Sequence, residues 1–335
     1  MDRRGPPAWL VAAACSLAVA CPTAPADAGG VMPLGIAGPR LSRLAASPNG
    51  QTVYGIDESR RAVVAIDPFT AGRCRDVVAP ADEGRAEPVS IAALPGDILA
   101  LVCRTGDEWL VRTYRTRPGE AVEAARPLQE LRLGSASGPH VPSMAVSRSR
   151  DWFAVAGLPP PLPSVVRAAF AGAGVRRRPD DSAAAATVGR PVALAVGPGD
   201  DLIALEAAES SGAATLVSTG LGGRELLRLD AGVADVRGAA CARDGSALWV
   251  ICGAGGTAGD QPAGVWRLDA VIRDGRQAVR PTCVVRLAEP HALAAVSDRS
   301  LVVVHGTEPR AVSRIDDAGA DGAADSTTKP QEEAR

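Results

Sequence analysis

The chain has 335 residues, of which 46% are hydrophobic and only 3% aromatic, so its core has to be built from Ala, Val, Leu and Ile. Basic and acidic residues nearly cancel. The formal net charge of −2 at pH 7 argues against the strongly basic surface of a nucleic-acid-binding protein. No later apolar run approaches the roughly 18 residues that a membrane-spanning helix needs, so no transmembrane span is predicted.

The N-terminus predicts export. Residues 1–28 combine two early arginines with an apolar stretch over residues 8–20, which resembles a signal peptide and is too short to favour a spanning helix. An A-x-A processing site precedes Gly29, whereas the sequence before Cys21 resembles a bacterial lipobox. We favour simple cleavage, which gives a periplasmic, cell-surface or extracellular protein. A lipoprotein anchored at Cys21 is the alternative.

Beyond this segment an eleven-residue motif recurs six times, at intervals of 45 to 54 residues. Each copy has a short apolar strand, a tight polar turn and a second apolar strand, and the first copy is L-A-A-S-P-N-G-Q-T-V-Y. The copies begin at Leu44, Ile91, Met144, Leu194, Ala239 and Leu293. A period of this size in an all-β chain predicts a β-propeller, in which four-stranded antiparallel blades are arranged around a channel.

The pattern also predicts where the ring begins and ends. The strands of blade 1 are predicted at Leu41–Ser47, Thr52–Ile56, Val63–Asp67 and Cys74–Ala79. The sixth blade runs out near Ile315-Asp316, whereas Val31–Ile36 is an apolar strand without a blade of its own. We expect this N-terminal strand to complete blade 6 and close the ring, which makes residues 29–316 the propeller. A seventh, degenerate blade is the alternative, and residues 317–335 are predicted to be disordered.

The first motif copy, followed by A-V-V-A-I-D-P from Ala62, resembles the YVTN/WD40-like propeller repeats. Those repeats typically contain Ser-Pro-Asp-Gly, an apolar strand and Val-x-Val-Ile-Asp. The matching residues are Ser47, Pro48, Asn49, Gly50, Val53, Tyr54, Val64, Ile66 and Asp67. The resemblance is specific in blade 1 and loose over residues 31–316, and the Trp-Asp dipeptide of WD40 proteins is absent. It implies a fold and not a reaction.

Ionisable residues stand four positions before every motif copy, where each first strand begins beside the channel. They are Arg40, Glu87, His140, Arg190, Asp235 and Glu289, and Arg237 and His291 stand two positions before the last two copies. Because propellers usually bind ligands where the first strands enter the channel, this mixed-charge ring predicts a ligand site there, at what we call the upper mouth. Ordinary solvated loop residues ahead of a strand are the alternative.

A second ring of metal-ligand residue types follows the second strands: Asp57, Cys103, Glu206, Cys252 and His305. Equivalent positions in different blades lie one blade apart around a circle, so shared coordination of one metal is not expected. The five cysteines left after cleavage include no CxxC pair, which removes support for a zinc or thioredoxin-like site. We therefore predict no metal, no cofactor and no assigned catalytic residue.

Two functional classes survive. The first is an exported, non-catalytic propeller that binds a protein, peptide or glycan at the upper mouth. The second is a propeller hydrolase or lactonase with a site at the channel mouth. The first is favoured, because the metal site of six-bladed gluconolactonase-like enzymes needs an asparagine and Asn49, the only one here, lies in a turn. The repeated Trp motifs and adjacent cysteines of quinoprotein dehydrogenases are also missing.

Overall fold

The computed structural model describes residues 30–36, 39–78, 86–116, 127–136, 141–147, 149–158, 165–171, 174–177, 191–197, 199–208, 211–220, 224–242, 244–255 and 261–316. The predicted signal segment and tail, and the predicted site residues His140 and Arg190, lie outside these ranges. Within the described residues, no helix is both long and apolar enough to cross a membrane.

The described strands form six antiparallel sheets of four strands each. Blade 1 contains β2 (Leu41–Ala46), β3 (Val53–Asp57), β4 (Ala62–Ile66) and β5 (Cys74–Val78). Blade 2 contains β6 (Glu87–Leu94), β7 (Ile98–Thr105), β8 (Glu108–Arg115) and β9 (Gln129–Ser135). Blade 3 contains β10 (Ser143–Val146), β11 (Trp152–Ala156), β12 (Val165–Ala171) and β13 (Gly174–Arg177).

Blade 4 contains β14 (Pro191–Val196), β15 (Leu202–Ala207), β16 (Ala213–Thr219) and β17 (Glu225–Ala234). Blade 5 contains β18 (Val236–Cys241), β19 (Leu248–Cys252), β20 (Gly264–Arg273) and β21 (Arg276–Arg286). Blade 6 contains β22 (Ala292–Ala295), β23 (Leu301–His305), β24 (Ala311–Ile315) and the N-terminal β1 (Val31–Pro33). The four predicted strands of blade 1 agree with the structure to within one residue at each end.

The N-terminal strand closes the ring, as predicted. β1 pairs antiparallel with β24, so that Val31 lies opposite Ile315. The Leu34 amide then donates to the Val312 carbonyl at 2.9 Å, and the Leu34 side chain is buried between blades 6 and 1. The all-β propeller of six four-stranded blades is therefore confirmed. The seven-blade alternative is wrong, because the N-terminal strand completes the sixth sheet of the described residues.

The hydrogen bonds and backbone conformation of the first hairpin turns explain which residue types occur in them. In blade 1 the Thr52 amide donates to Ser47 Oγ at 3.0 Å, and the Gln51 amide donates to Asn49 Oδ1 at 3.0 Å. The seventh motif position has a positive φ in five copies: Gly50, Asp97, Arg150, Asp200 and Gly245. This left-handed residue suits Gly and Asp far better than Arg, so the backbone at Arg150 stores strain.

The core is divided among the blade interfaces. Six hydrophobic clusters each lie between two neighbouring blades, including the pair formed by blades 6 and 1. At the inner end of every interface stands the second residue of a motif copy, and all six of these residues are alanine: Ala45, Ala92, Ala145, Ala195, Ala240 and Ala294. Neighbouring blades come closest together at their inner ends. The methyl side chain of alanine is small enough for adjacent first strands to approach there without a clash.

Candidate functional site

A cavity of about 690 Å³ occupies the centre of the ring. Its walls come from the first strands of all six blades, including the six alanines, and from the first hairpin turns. We call the end of the channel at these turns the lower mouth. The small side chains keep the channel open. The sequence signal that could have located this ring is the alanine at the second position of every motif copy.

Polar groups on the cavity wall come from the first hairpins. Among the lining residues that the structure describes, Arg150 is the one cationic side chain, and Asp244 and Asp298 are the carboxylates. Ser147 and Ser149 add hydroxyl groups beside Arg150. Sequence analysis missed this set, because the turn residues vary between copies and show no shared residue type.

Arg150 reaches back across two blades. It stands in blade 3, yet its guanidinium donates to the carbonyl oxygen of Ala93 in blade 2 at 2.7 Å and to that of Ala46 in blade 1 at 3.4 Å. These carbonyl oxygens accept from the guanidinium and fix its position. The positive charge is therefore held at the part of the lower mouth formed by blades 1 and 2.

The two carboxylates occupy a different part of the lower mouth. Asp244 belongs to blade 5 and Asp298 to blade 6, and the Asp244 amide donates to Asp298 Oδ1 at 2.8 Å. Asp244 Oδ1 in turn accepts from the Ser246 amide at 2.8 Å. Each aspartate is thus fixed through one carboxylate oxygen.

Cys241 lies on the same wall but is not a nucleophile. Burial, reinforced by the negative charges of Asp201 and Asp244, raises the pKa of Cys241 to about 12. A thiol with this pKa is protonated at neutral pH and therefore unreactive. The five cysteines of the described residues are all free. Across the same residues, no group of three His, Cys, Asp or Glu side chains could hold a metal ion.

The residues predicted at the upper mouth make mostly local contacts. Arg40 forms ion pairs with Glu308 at 2.7 Å and Glu58 at 3.3 Å, both from turns between second and third strands. Asp235 pairs with Arg237 at 2.9 Å. Within the described part of the chain, no ion pair or hydrogen bond joins predicted residues of different blades, and none of them lines the cavity.

The remaining predicted residues of this mouth are less constrained. His291 Nε2 lies 3.0 Å from the Gly306 carbonyl oxygen. Glu87 and Glu289 are exposed to solvent. Their assignment to a ligand site, like that of His140 and Arg190, stays a prediction.

In the second predicted ring, Asp57 and His305 form hydrogen bonds within their own blades. Asp57 is fully buried and accepts from the Arg40 amide at 3.1 Å, from Ser59 Oγ at 2.6 Å and from Arg60 Nε at 2.6 Å. Burial alone would raise the pKa of Asp57, but these hydrogen bonds outweigh it and lower the pKa. His305 bonds Ser313 Oγ at 3.0 Å, and its pKa is lowered by burial first and by His291 second.

No protein-family model matches the sequence, and a search of curated proteins finds no relative. Solved structures do match. The PQQ-bound aldose sugar dehydrogenase from Streptomyces coelicolor has a TM-score of 0.56 at 13% identity, covering 87% of this chain and 99% of that one. A putative gluconolactonase has a TM-score of 0.53 at 13% identity, covering 87% of this chain and 93% of that one.

A third match lies closer to the repeat family that the first blade resembles. The β-propeller domain of Swd1 from Myceliophteria thermophila, a WD40-like propeller, has a TM-score of 0.50 at 13% identity and covers 85% of this chain and 99% of that one. At identities this low a structural likeness defines the fold and leaves the reaction open. The comparisons therefore place this chain among the β-propellers.

Proposed function

We propose that this chain binds a small sugar-like molecule in its central cavity and hydrolyses a sugar lactone there. The observation that carries the proposal is the cavity itself: about 690 Å³, lined by small apolar side chains of the first strands and by polar groups of the first hairpin turns. Small-molecule sites typically measure about 300–1,000 Å³ and combine an apolar lining with a few convergent polar groups. The cavity therefore has room for a sugar-sized molecule.

Two arguments favour this over the non-catalytic binder of a protein, peptide or glycan. A macromolecular partner would need a broad exposed face, whereas the polar groups of the lower mouth stand around the opening of a central cavity. The sugar dehydrogenase and the putative gluconolactonase named above also support the sugar and lactone class, although they share only the fold. The hydrolase or lactonase interpretation, with its site moved to the lower mouth, therefore becomes the preferred one.

The carboxylates supply the chemistry. In lactone hydrolysis a water oxygen bonds to the carbonyl carbon, and a general base takes a proton from that water. The ring C–O bond then breaks, and its oxygen takes the proton back to give a hydroxy acid. Asp298 is the best-placed base, because the Asp244 amide fixes one of its oxygens and orients the other. A positioned general base typically contributes about 10²–10⁴-fold in rate.

The test is hydrolysis of a panel of five- and six-membered sugar lactones by the full chain, measured as acid release above the spontaneous rate. We expect Asp298→Asn to lower kcat by on the order of 100-fold. Asp107→Asn, in the turn between β7 and β8 away from the cavity, is the matched control. A wild-type chain that neither binds nor hydrolyses any lactone would overturn the proposal.

A further inference from the structure

The hairpin formed by the third and fourth strands of blade 5 extends beyond its blade. β20 pairs with β19 only as far as Leu268, yet it continues to Arg273 with β21 as its partner. Five cross-strand pairs therefore lie past the edge of the blade, a length of about 17 Å at the rise of a β-strand. In the other blades, the described third strands end within two residues of their last pair with the second strand. The six-bladed pattern alone does not explain this extension.

The base of the extension is packed against the ring, whereas its tip is exposed. Ala270 is buried in the hydrophobic cluster between blades 4 and 5, and Pro281 lies against Gly232 of β17. Every residue of the tip, residues 272–276, is exposed. Ile272, at 66%, is the most exposed large apolar side chain of the described residues. The packed base thus presents the tip to solvent in a fixed position.

The tip brings two positive charges together. Arg273 and Arg276 lie directly opposite each other across the tight turn Asp274-Gly275, in which both residues have a positive φ. Like charges in this arrangement destabilise a hairpin, and an anion bound between them would remove that cost. Neither arginine forms an ion pair with another described residue, whereas Arg280, nearer the base, pairs with Asp269 at 3.6 Å. The single carboxylate of the turn leaves the tip with a net positive charge.

The size and composition of the tip decide which partner it suits. A stable protein interface buries about 800 Å² on each side, from about 20–30 residues, which five exposed residues cannot supply. A lipid bilayer needs no such area, because an apolar side chain enters the fluid boundary between headgroups and acyl chains while basic side chains bind anionic lipids. The acidic segment 317–335 would match the arginines but has no large apolar residue to cover Ile272.

We propose that the tip of this hairpin binds the surface of an anionic lipid membrane. Ile272 enters the bilayer at the level of the headgroups, and Arg273 and Arg276 bind lipid phosphates beside it. The third and fourth strands are the outermost of a blade, so contact at this tip leaves the central cavity open to solvent. The inference is independent of the proposed function and suits the export predicted from the N-terminus.

Vesicle sedimentation measures the binding. We expect the full chain to bind phosphatidylcholine vesicles containing about 30% phosphatidylglycerol at least about tenfold more strongly than vesicles of phosphatidylcholine alone. Added salt should reduce the difference, because it screens the attraction between the arginines and the anionic surface.

Hydrogen exchange locates the contact in the wild-type chain. Anionic vesicles should slow exchange of the backbone amides of residues 270–278 by about fivefold or more and leave the turn at residues 106–107 of blade 2 unchanged. An apolar N-terminal segment that bound the vesicles would hold the chain on them without protecting the tip. The local signal therefore separates the hairpin from residues 1–28.

Variants of the tip test its residues separately. The double substitution Arg273→Gln and Arg276→Gln should weaken binding to anionic vesicles by about 10- to 30-fold, since each arginine near such a surface contributes about fivefold. Ile272→Ser should weaken it by about tenfold. Arg104→Gln and Val141→Ser are the matched controls, because both side chains are also exposed but lie outside the tip. Thermal unfolding checks that each variant is folded.

Weaker binding by the tip variants alone, together with slower exchange at the tip, would support the proposal. Anionic vesicles that leave exchange at residues 270–278 unchanged, or tip variants that bind as the wild type does, would overturn it. Faster exchange at the tip in a chain that lacks residues 317–335, measured without vesicles, would assign the arginines to that acidic segment and would also overturn it.

Discussion

The charged residues at the two mouths of the channel differ in their surroundings. At the upper mouth the charges are paired with near neighbours, as Arg40 is with Glu58 and Glu308. At the lower mouth Arg150, Asp244 and Asp298 line the cavity and stand on separate blades. The upper mouth repeats in phase along the sequence, and the lower mouth does not. Periodicity therefore locates a ring of residues without telling whether their side chains reach the cavity.

The geometry of a blade explains this difference. The residue before a first strand lies next to the turn that joins the second and third strands, both in its own blade and in the preceding one. Glu58 and Glu308 occupy those two turns, so a cation at position 40 finds partners within reach. At the other end only the first hairpin turns converge, and each contributes side chains directly to the channel.

Ring closure supports both mouths, so removing it should have the largest effect. Deleting residues 30–36 leaves β24 without its outer partner and removes the buried Leu34 and Ile36 side chains. At about 1.5–3 kcal/mol for each buried aliphatic side chain, we expect a loss of at least about 3 kcal/mol. Urea unfolding provides the measurement, with deletion of residues 317–335 as the control. Unchanged stability would show that the ring does not depend on its closing strand.

Asp57 tests whether the upper mouth is structural. Asp57→Ala removes a buried acceptor of four hydrogen bonds, and we expect a loss of about 3 kcal/mol. Asp76→Ala is the matched control, since Asp76 also pairs with Arg60, at 2.9 Å, but is exposed, and it should cost less than about 1 kcal/mol. Equal effects would contradict a buried structural role.

The same carboxylate predicts an acid dependence. Its folded-state pKa is below the unfolded value of about 3.9, so its contribution is complete above that pH and is lost as the pH falls through the lowered pKa. The difference in stability between wild type and Asp57→Ala should therefore shrink below about pH 4. A difference that is constant with pH would mean that the charge of Asp57 is irrelevant.

The fold could be predicted because the strands, the turns and the closing strand each have a recognisable pattern in a short stretch of sequence. The motif gave six first hairpins, and the spare strand Val31–Ile36 matched the strand missing from blade 6. The cavity chemistry could not be predicted, because it depends on where single turn residues point. Nothing in the sequence around Arg150 shows that its side chain crosses to Ala93, 57 positions away. The alanine ring was visible in every motif copy, but its position at the channel wall required the blades to be assembled.

His305 gives a smaller effect, near neutral pH. Its pKa is lowered by burial and by His291, so the folded chain holds it neutral while the unfolded chain takes up a proton near pH 6.5. Stability should therefore rise as the pH increases from the lowered pKa to the unfolded value of about 6.5, and level off above it. His305→Gln should flatten this rise, and so should His291→Gln in part, because it removes the neighbouring charge. A wild-type stability that is flat over this range would contradict the buried neutral histidine.

The smallest effect on stability is expected for Arg237→Ala. Ligand binding by this variant distinguishes a site at the upper mouth from one at the lower mouth. The Asp235–Arg237 pair is partly exposed and packs over Gly253. Exposed pairs contribute about 0–1 kcal/mol, so Arg237→Ala should shift the free energy of unfolding by about 0.5 kcal/mol or less. A variant that folds normally is a clean probe of ligand binding.

If the sequence-based prediction of a site at the upper mouth is right, Arg237→Ala and Arg190→Ala should each weaken binding of the partner that co-purifies with the wild type, by about tenfold or more. If the lower mouth is the site, neither variant should alter lactone binding, whereas Asp298→Asn should. Loss of lactone hydrolysis in Arg237→Ala, with normal stability, would move the site back to the upper mouth.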